Sequence, residues 1–255
     1  MFGVFIMTMS DGVSYFFRGF GLLKTKGLKR FILIPLMVNF VLFIGAFYYL
    51  FDVLGANITW MHEQIPDWLS WLEFIIYPFV ILLMVLLFGL FFTTVANWLA
   101  APFNGVLAER VEMHLTGQAP RQDSVAALIK ATPHTLLREW KKLVYFIPRM
   151  IGFFLIGWFF PVIGQLIWFA FIAWVLAIQY CDYAFDNNKY SFDFMRYILS
   201  QNKSACFGFG ASVSIITSLP FINLLVMPAA ICGATLMWVE QLEEQTRSQS
   251  ISEQD

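Results

Sequence analysis

Two long runs of apolar residues dominate the first half of the chain, at residues 31–51 and 74–103. Each run is long enough for an α-helix that crosses a hydrocarbon layer of roughly 30 Å, which takes about 20 residues. The segment between them, residues 52–73, contains acidic residues but no Lys or Arg, whereas basic residues flank both runs on their other sides. Because Lys and Arg accumulate on the cytoplasmic side of a membrane, the pattern predicts a cytoplasmic N-terminus, an acidic outer loop and a return to the cytoplasm.

The second half contains two further apolar stretches, residues 143–178 and 205–239, each interrupted near its middle. Pro161 and Gly164 interrupt the first stretch, and Pro220 interrupts the second. Each half is short for a complete span, so two arrangements remain: two thin spans joined by a tight turn, or a re-entrant hairpin that turns inside the bilayer. The charged flanks fit both arrangements. Short, proline-interrupted segments that occur twice are typical of transport sites, and they favour the re-entrant hairpins.

Together these elements predict an all-α integral membrane protein with a single membrane domain over residues 1–255. Two long transmembrane helices and two re-entrant, partly penetrating helical hairpins are joined by amphipathic and cytoplasmic helices, with both termini in the cytoplasm. The predicted segments are an amphipathic segment at 1–27, transmembrane helices at 28–51 and 74–103, hairpins at 143–179 and 205–239, and a polar tail at 240–255.

The composition supports a membrane protein and argues against several other classes. The chain is 59% hydrophobic and 13% charged, whereas soluble domains contain about 25% charged residues. Its net charge of −1 provides no general basicity, so we expect no nucleic-acid partner. The 3 cysteines are widely spaced and form no CxxC pair, which argues against both a disulfide framework and a zinc site.

Sequence motifs of enzymes and of cofactor sites are missing from the chain. No GxSxG, Walker A or GxGxxG pattern is present, and His62-Glu63 lacks the second histidine of a zinc-protease motif. We therefore predict that the protein is not an enzyme and that it uses neither a cofactor nor a metal ion.

The first candidate binding site is the segment Gly27, Leu28, Lys29 and Arg30, where a glycine, a helix start and two adjacent cations meet at the membrane edge. Free backbone N–H groups at a helix N-terminus, together with the positive end of the helix dipole, bind anions. Lys29 and Arg30 would add charge-assisted hydrogen bonds. The alternative is that these cations only obey the positive-inside rule and contact lipid phosphates.

A second group of charged residues could line an aqueous pathway. Glu109 and Glu112 share a helix face with Arg110 beside them, and the charged segment 138–142 follows. The alternative for all of these residues is a solvated cytoplasmic surface. Arg149 differs because it lies inside an apolar stretch, where an arginine costs a few kcal/mol. It either extends to the interface or faces a polar cavity, and we predict Glu109, Arg110 and Arg149 as pore residues.

Ordered blocks of sequence between about residues 12 and 239 form a further pattern. They include Gly27-Leu28-Lys29-Arg30-Phe31, Pro66-Asp67-Trp68-Leu69, Ala101-Pro102-Phe103-Asn104-Gly105, Arg138-Glu139-Trp140, Gln179-Tyr180-Cys181-Asp182-Tyr183 and Cys232-Gly233-Ala234-Thr235. As an ordered set they resemble the CysZ-type sulfate permeases of bacterial inner membranes, and the resemblance covers nearly the whole chain.

The resemblance implies uptake of sulfate across the bacterial inner membrane for cysteine biosynthesis, by a multi-pass protein that forms a homo-oligomer, a hexamer. It also implies two spanning helices and two partly inserted hairpins. The family's sulfate-binding motif falls on Gly27, Leu28, Lys29 and Arg30. Lys29 stands where arginine is usual, and lysine keeps the charge but loses the planar fork. Among the pore residues, the resemblance favours Glu109.

The expected partners are thus sulfate, the lipid bilayer and other copies of the chain. Nothing resembles an ATP-binding site, so flux must follow the sulfate gradient or a coupled proton, and the sequence leaves open whether the protein is a channel or a carrier. The alternative from another class is a non-transporting membrane scaffold or a regulator of sulfate import.

Overall fold

The computed structural model describes residues 7–25, 27–117, 125–219 and 222–252. Pro220 therefore lies outside the described residues, as does the side chain of Arg30. The described part of the chain is helical, with one 3-10 helix and one π-helical turn. The helices are α1 (Met9–Leu22), α2 (Lys29–Gln64), a 3-10 helix (Asp67–Leu72), α3 (Glu73–Thr116), α4 (Val125–Phe159), α5 (Pro161–Asn187), α6 (Phe192–Gln201), α7 (Lys203–Thr217), α8 (Asn223–Met237), a π-helical turn (Trp238–Leu242) and α9 (Glu243–Ser252).

The chain divides into two compact units. The long-helix unit is Leu33–Phe103, which contains most of α2, the 3-10 helix and the first part of α3. The packed unit combines Met1–Ile32 with Asn104–Asp255. The unit boundaries therefore fall inside α2 and inside α3.

In the long-helix unit, α2 continues well beyond the predicted outer end of its span. The segment 52–64, expected to be part of a loop, is helical. The segment contains no proline, and α2 ends at Gln64, shortly before Pro66. Proline disfavours helical geometry in the residue before it. The 3-10 helix after Pro66 turns the chain, and the His62 Nδ1 atom lies 2.9 Å from Glu73 Oε1 at the start of α3. Phe43 and Phe92 make an edge-to-face contact at 5.3 Å between the two long helices.

In the packed unit, α1 lies against α7 and α8, and α5 lies against α4, α7 and α8. Three of these contacts are possible only because a glycine is present. A Cβ atom on Gly12 would collide with the carbonyl of Ala205, one on Gly19 with that of Ala229, and one on Gly210 with that of Ala173. Helix α1, which lies in the segment predicted to be amphipathic, thus buries one face against protein.

The first interrupted apolar stretch forms the antiparallel pair α4 and α5. Helix α4 ends at Phe159 and α5 begins at Pro161, where proline is well tolerated because the first helical N–H has no intrahelical acceptor. A Cβ atom on Gly164 would collide with the backbone of Gly157, so the two arms approach closely beside the turn.

Five segments of the described helices are long and apolar enough to cross a membrane. They are Met37–Gln64, Trp68–Phe92, Leu137–Phe159, Pro161–Asn187 and Leu225–Ile251. The protein is therefore a multi-pass α-helical membrane protein. Both arms of the first hairpin meet this length criterion. Helix length therefore does not decide whether these arms cross the membrane completely or enter it only partly.

Candidate functional site

The predicted anion-binding segment forms a tight turn that leads into α2. Gly27 has φ of +96°, a left-handed conformation that other residues adopt only with strain. The backbone N–H of Leu28 donates to Thr25 O at 3.3 Å, and the Leu28 side chain is 4% exposed. Lys29, the first residue of α2, is exposed. A buried leucine thus holds the turn in place while the lysine beside it remains accessible.

This geometry has the chemical features of a site for an oxyanion. The first turn of a helix presents backbone N–H groups without intrahelical acceptors, and the helix dipole adds partial positive charge there. The Lys29 ammonium group lies at the same end of α2, so main-chain donors and a cation are available together. Arg30 follows Lys29 in the sequence, but its side chain lies outside the described residues.

The predicted pore residues Glu109 and Arg110 belong to the C-terminal part of α3, which is bound to the end of α5 by amide side chains. Asn104 Nδ2 donates to Tyr183 Oη at 3.2 Å. Asn187 Nδ2 donates to Gly105 O at 3.0 Å, and Asn188 Nδ2 donates to both Glu112 carboxylate oxygens, at 2.9 and 3.1 Å. Glu109 and Arg110 lie between these contacts along α3 and are half-buried. These hydrogen bonds form a polar stripe between α3 and α5, and Glu109 and Arg110 belong to the same stretch of α3.

A buried ion cluster joins α4 to α5 in the same unit. Arg138 Nε donates to Asp182 Oδ1 at 2.8 Å, and Lys142 Nζ lies 2.6 Å from Asp182 Oδ2. Lys142 Nζ is also 2.7 Å from Glu139 Oε1, and Arg138 Nη1 is 3.3 Å from Asp186 Oδ1. The side chains of Arg138, Lys142 and Asp182 are 6%, 2% and 4% exposed. Two cations are thus neutralised by carboxylates away from water, which such charges need when they are buried.

From the sequence, residues 138–142 were expected to line an aqueous vestibule or to form a solvated surface. The structure instead buries Arg138 and Lys142. A periodic signal for this cluster exists in the sequence. Arg138 and Lys142 are four residues apart on α4, and Asp182 and Asp186 are four residues apart on α5. Each pair therefore shares one helix face, and the two faces carry opposite charge.

The described contacts of Arg149, the third predicted pore residue, include neither Glu109 nor Arg110. Its Nη1 donates to Tyr145 O at 2.7 Å, and its guanidinium carbon lies 3.8 Å from the centre of the Tyr145 ring. The side chain is exposed. Among the described residues, no group of His, Cys, Asp and Glu side chains could hold a metal ion.

Comparison with known proteins relates nearly the whole chain to one family. The family model described as sulfate transporter CysZ/etoposide-induced protein 2.4 matches residues 15–228. The sulfate transporter CysZ of Salmonella typhimurium strain LT2 is 48% identical over 234 residues, which are 90% of this chain and 92% of that protein. The sulfate transporter CysZ of Vibrio cholerae serotype O1 is 47% identical over 242 residues, 92% of this chain and 95% of that protein. The similarity therefore extends over nearly the full length of each protein.

Proposed function

The chain belongs to the sulfate transporter CysZ/etoposide-induced protein 2.4 family, and on that premise we propose that it carries sulfate across a membrane. The observation that supports this function is 48% identity over 90% of the chain to a protein named as a sulfate transporter. The function is transport and not catalysis. The membrane is the bacterial inner membrane, and the sulfate taken up supplies cysteine biosynthesis.

Sulfate is first bound at Gly27, Leu28, Lys29 and Arg30. The positive φ of Gly27, the buried Leu28 and the exposed Lys29 at the first position of α2 support this assignment. Sulfate is a strongly hydrated dianion, so a site must replace its water with donors of similar strength and still release it. Main-chain N–H groups and two cations provide such donors.

The ion then passes along a polar conduit that includes Glu109 and Arg110. The polar stripe between α3 and α5 supports this path, because it is a row of hydrogen-bonding groups within an otherwise apolar chain. The ion cluster of Arg138, Lys142 and Asp182 holds α4 against α5 and so positions one wall of the conduit. Arg149 has a separate environment on Tyr145, and we leave it out of the conduit.

The conduit is enclosed by several copies of the chain in a homo-oligomer, a hexamer by resemblance to the family. In an apolar window of 18 residues within each of the spans Met37–Gln64 and Trp68–Phe92, 11% and 0% of the residues are buried within one copy. These helices therefore leave large apolar surfaces for lipid and for other copies.

We propose the transmembrane arrangement in which α2 and α3 span the bilayer while the α4–α5 and α7–α8 hairpins enter it partly, with both termini in the cytoplasm. Helix α7 has 15 residues, a length of about 22 Å at 1.5 Å per residue. That is short of the roughly 30 Å hydrocarbon layer.

A single cysteine at the hairpin turn tests this arrangement. In Ile163→Cys, at an exposed position beside Pro161, a membrane-impermeant thiol reagent added from the periplasmic side should not react. The control is Trp68→Cys, at an exposed position between the two long helices, which should react. Labelling of both variants from the periplasmic side would instead establish two full spans.

The binding site is tested by uptake of labelled sulfate into liposomes that contain the purified protein. The double variant Lys29→Ala/Arg30→Ala should lower uptake at limiting sulfate at least about tenfold, because two charge-assisted hydrogen bonds are lost. The matched control is Lys203→Ala/Arg247→Ala, which removes the same charge at exposed positions elsewhere and should transport normally.

The outcomes distinguish a failure of the proposed binding site from a failure of the proposed transport function. Normal uptake by the Lys29/Arg30 variant would refute the binding site and leave transport intact. No uptake by the unaltered protein would instead favour a scaffold or regulator. Repeating the measurement with and without an imposed proton gradient distinguishes a channel from a proton-coupled carrier.

A further inference from the structure

A cluster of cations around one tyrosine lies outside the proposed conduit. Tyr145 on α4 has the guanidinium carbon of Arg149 at 3.8 Å from its ring centre and that of Arg196, on α6, at 4.0 Å. An approach to the ring edge would be longer than either distance, so both guanidiniums lie over ring faces. Two groups this close to one centre cannot share a face without overlap. Tyr145 is therefore sandwiched between two arginines.

Further contacts hold the three side chains of this sandwich in place. Tyr145 Oη accepts a hydrogen bond from Trp174 Nε1 at 3.2 Å, and the ring makes an edge-to-face contact with Phe192 at 6.0 Å. Arg149 is held by Tyr145 O, and Arg196 Nη1 donates to Asp193 Oδ1 at 3.1 Å. Each cation–π contact stabilises a guanidinium without using its N–H donors, so both groups keep donors for a further acceptor.

Tyr145, Arg149 and Arg196 line an open cavity of about 380 Å³, together with Lys141. The lining contains three cations, Lys141, Arg149 and Arg196, against one carboxylate, Asp193. An oxyanion is the ligand class that such a lining attracts, because arginine matches phosphate and sulfate oxygens with paired N–H groups.

The position of the cavity identifies the source of the oxyanion. Within α4, residues 150–159 contain no charge, whereas residues 138–142 contain four charged side chains. In an apolar window of 18 residues within Leu137–Phe159, 6% of the residues are buried within the chain, and Trp140 beside the cavity is 65% exposed. Arg149 donates back to Tyr145 O, one turn toward the charged end of α4. Arginine at the edge of hydrocarbon extends in this way toward the headgroup layer, where tryptophan also concentrates.

We propose that Lys141, Arg149 and Arg196 bind the phosphate of an anionic phospholipid at the membrane interface, at a site separate from the sulfate path. The shared chemistry with free sulfate is that of a tetrahedral oxyanion. Basic pockets beside transmembrane helices bind anionic headgroups in this way, and the exposed apolar surface of α4 provides the adjacent place for the acyl chains.

The test measures retention of phosphatidylglycerol and of phosphatidylethanolamine by the detergent-purified protein, with native mass spectrometry. The variant Arg149→Gln/Arg196→Gln should retain phosphatidylglycerol about tenfold more weakly than the unaltered protein, with no change for phosphatidylethanolamine. The matched control Lys203→Gln/Arg247→Gln removes the same charge elsewhere and should bind as the unaltered protein does.

A second variant covers the possibility that the arginine pair is needed for folding. Lys141→Gln changes one exposed side chain and should weaken retention severalfold. Equal retention by Lys141→Gln and the control would overturn the proposal. Loss of the bound lipid on addition of sulfate, at concentrations that the protein transports, would also overturn it and make the cluster a sulfate site.

Discussion

The long-helix unit and the packed unit both consist of apolar helices, but different surroundings cover their apolar surfaces. In an apolar window of 18 residues within Trp68–Phe92, 0% of the residues are buried by the protein, whereas 67% are buried in the corresponding 18-residue window within Leu225–Ile251. Both segments meet the same criterion of length and composition. Hydropathy thus identifies a helix that avoids water, but it does not distinguish a helix covered by lipid or another copy from one covered by its own chain.

The two units also differ in what holds their helices together. In the packed unit, buried charges and glycine contacts bring backbones together, as at Arg138, Asp182 and Gly210. In the long-helix unit, a Cβ atom added to Gly45 or Gly89 would meet nothing within 4 Å. Substitutions in the packed unit should therefore change stability strongly, and equivalent ones in the long-helix unit should not.

The largest effect is expected at the centre of the ion cluster. Asp182→Leu removes the carboxylate that bridges Arg138 and Lys142, and breaking a buried ion pair costs about 3–5 kcal/mol because a charge stays buried without its partner. The free energy of unfolding in detergent, from titration with sodium dodecyl sulfate, measures this loss.

The matched control is Asp193→Leu, which removes a carboxylate whose side chain is 73% exposed and paired with Arg196. It should cost no more than about 1 kcal/mol. Equal losses for Asp182→Leu and Asp193→Leu would show that burial of the cluster is not what stabilises the packed unit.

Two glycine-to-alanine variants, one in each unit, compare the stability of the two units directly. Gly210→Ala should destabilise by about 1–3 kcal/mol, because the new methyl group collides with the carbonyl of Ala173 and the helices must move apart. Gly89→Ala adds the same group to open space and should stabilise by about 0.5–1 kcal/mol, since alanine favours helix more than glycine does. The same detergent titration measures both, and destabilisation by Gly89→Ala would contradict the contrast between the units.

The smallest effect is expected from an exposed ion pair in the packed unit and from the hydrogen-bonded pair of His62 and Glu73 in the long-helix unit. Arg18 Nη1 donates to Glu240 Oε2 at 2.8 Å, with side chains 47% and 37% exposed, and the hydrogen bond to Glu240 raises the pKa of Arg18. In the long-helix unit, His62 pairs with Glu73. Arg18→Gln and His62→Gln should each change the free energy of unfolding by less than about 1 kcal/mol, and high salt should weaken the Arg18 effect. If Arg18→Gln lowered the free energy of unfolding as much as Asp182→Leu does, membership of the packed unit, and not burial of the ion pair, would determine the loss of stability.

The local pattern of the chain was sufficient to locate one helix end. Pro161 was expected to interrupt an apolar stretch, and α5 begins at that residue. The segment 52–64 was wrongly expected to be a loop, because acidic residues at an outer surface do not stop a helix as Pro66 does.

The burial of Arg138, Lys142 and Asp182 was missed, because like charges four residues apart on one helix are as typical of an exposed face as of a buried one. The Tyr145 sandwich was missed for a related reason. Arg149 and Arg196 are far apart in sequence, and only the packing of α6 beside α4 brings both to one ring.

The sequence by itself determined the helical class, the membrane environment and the family of this protein. A backbone in lipid must satisfy its hydrogen bonds internally, so long apolar segments form helices whatever their neighbours are. The tertiary structure alone decided which helices are covered by protein, which charges are neutralised inside and which arginines meet at Tyr145. Those outcomes depend on side chains from distant parts of the chain meeting within a few ångströms, and no local pattern contains that information.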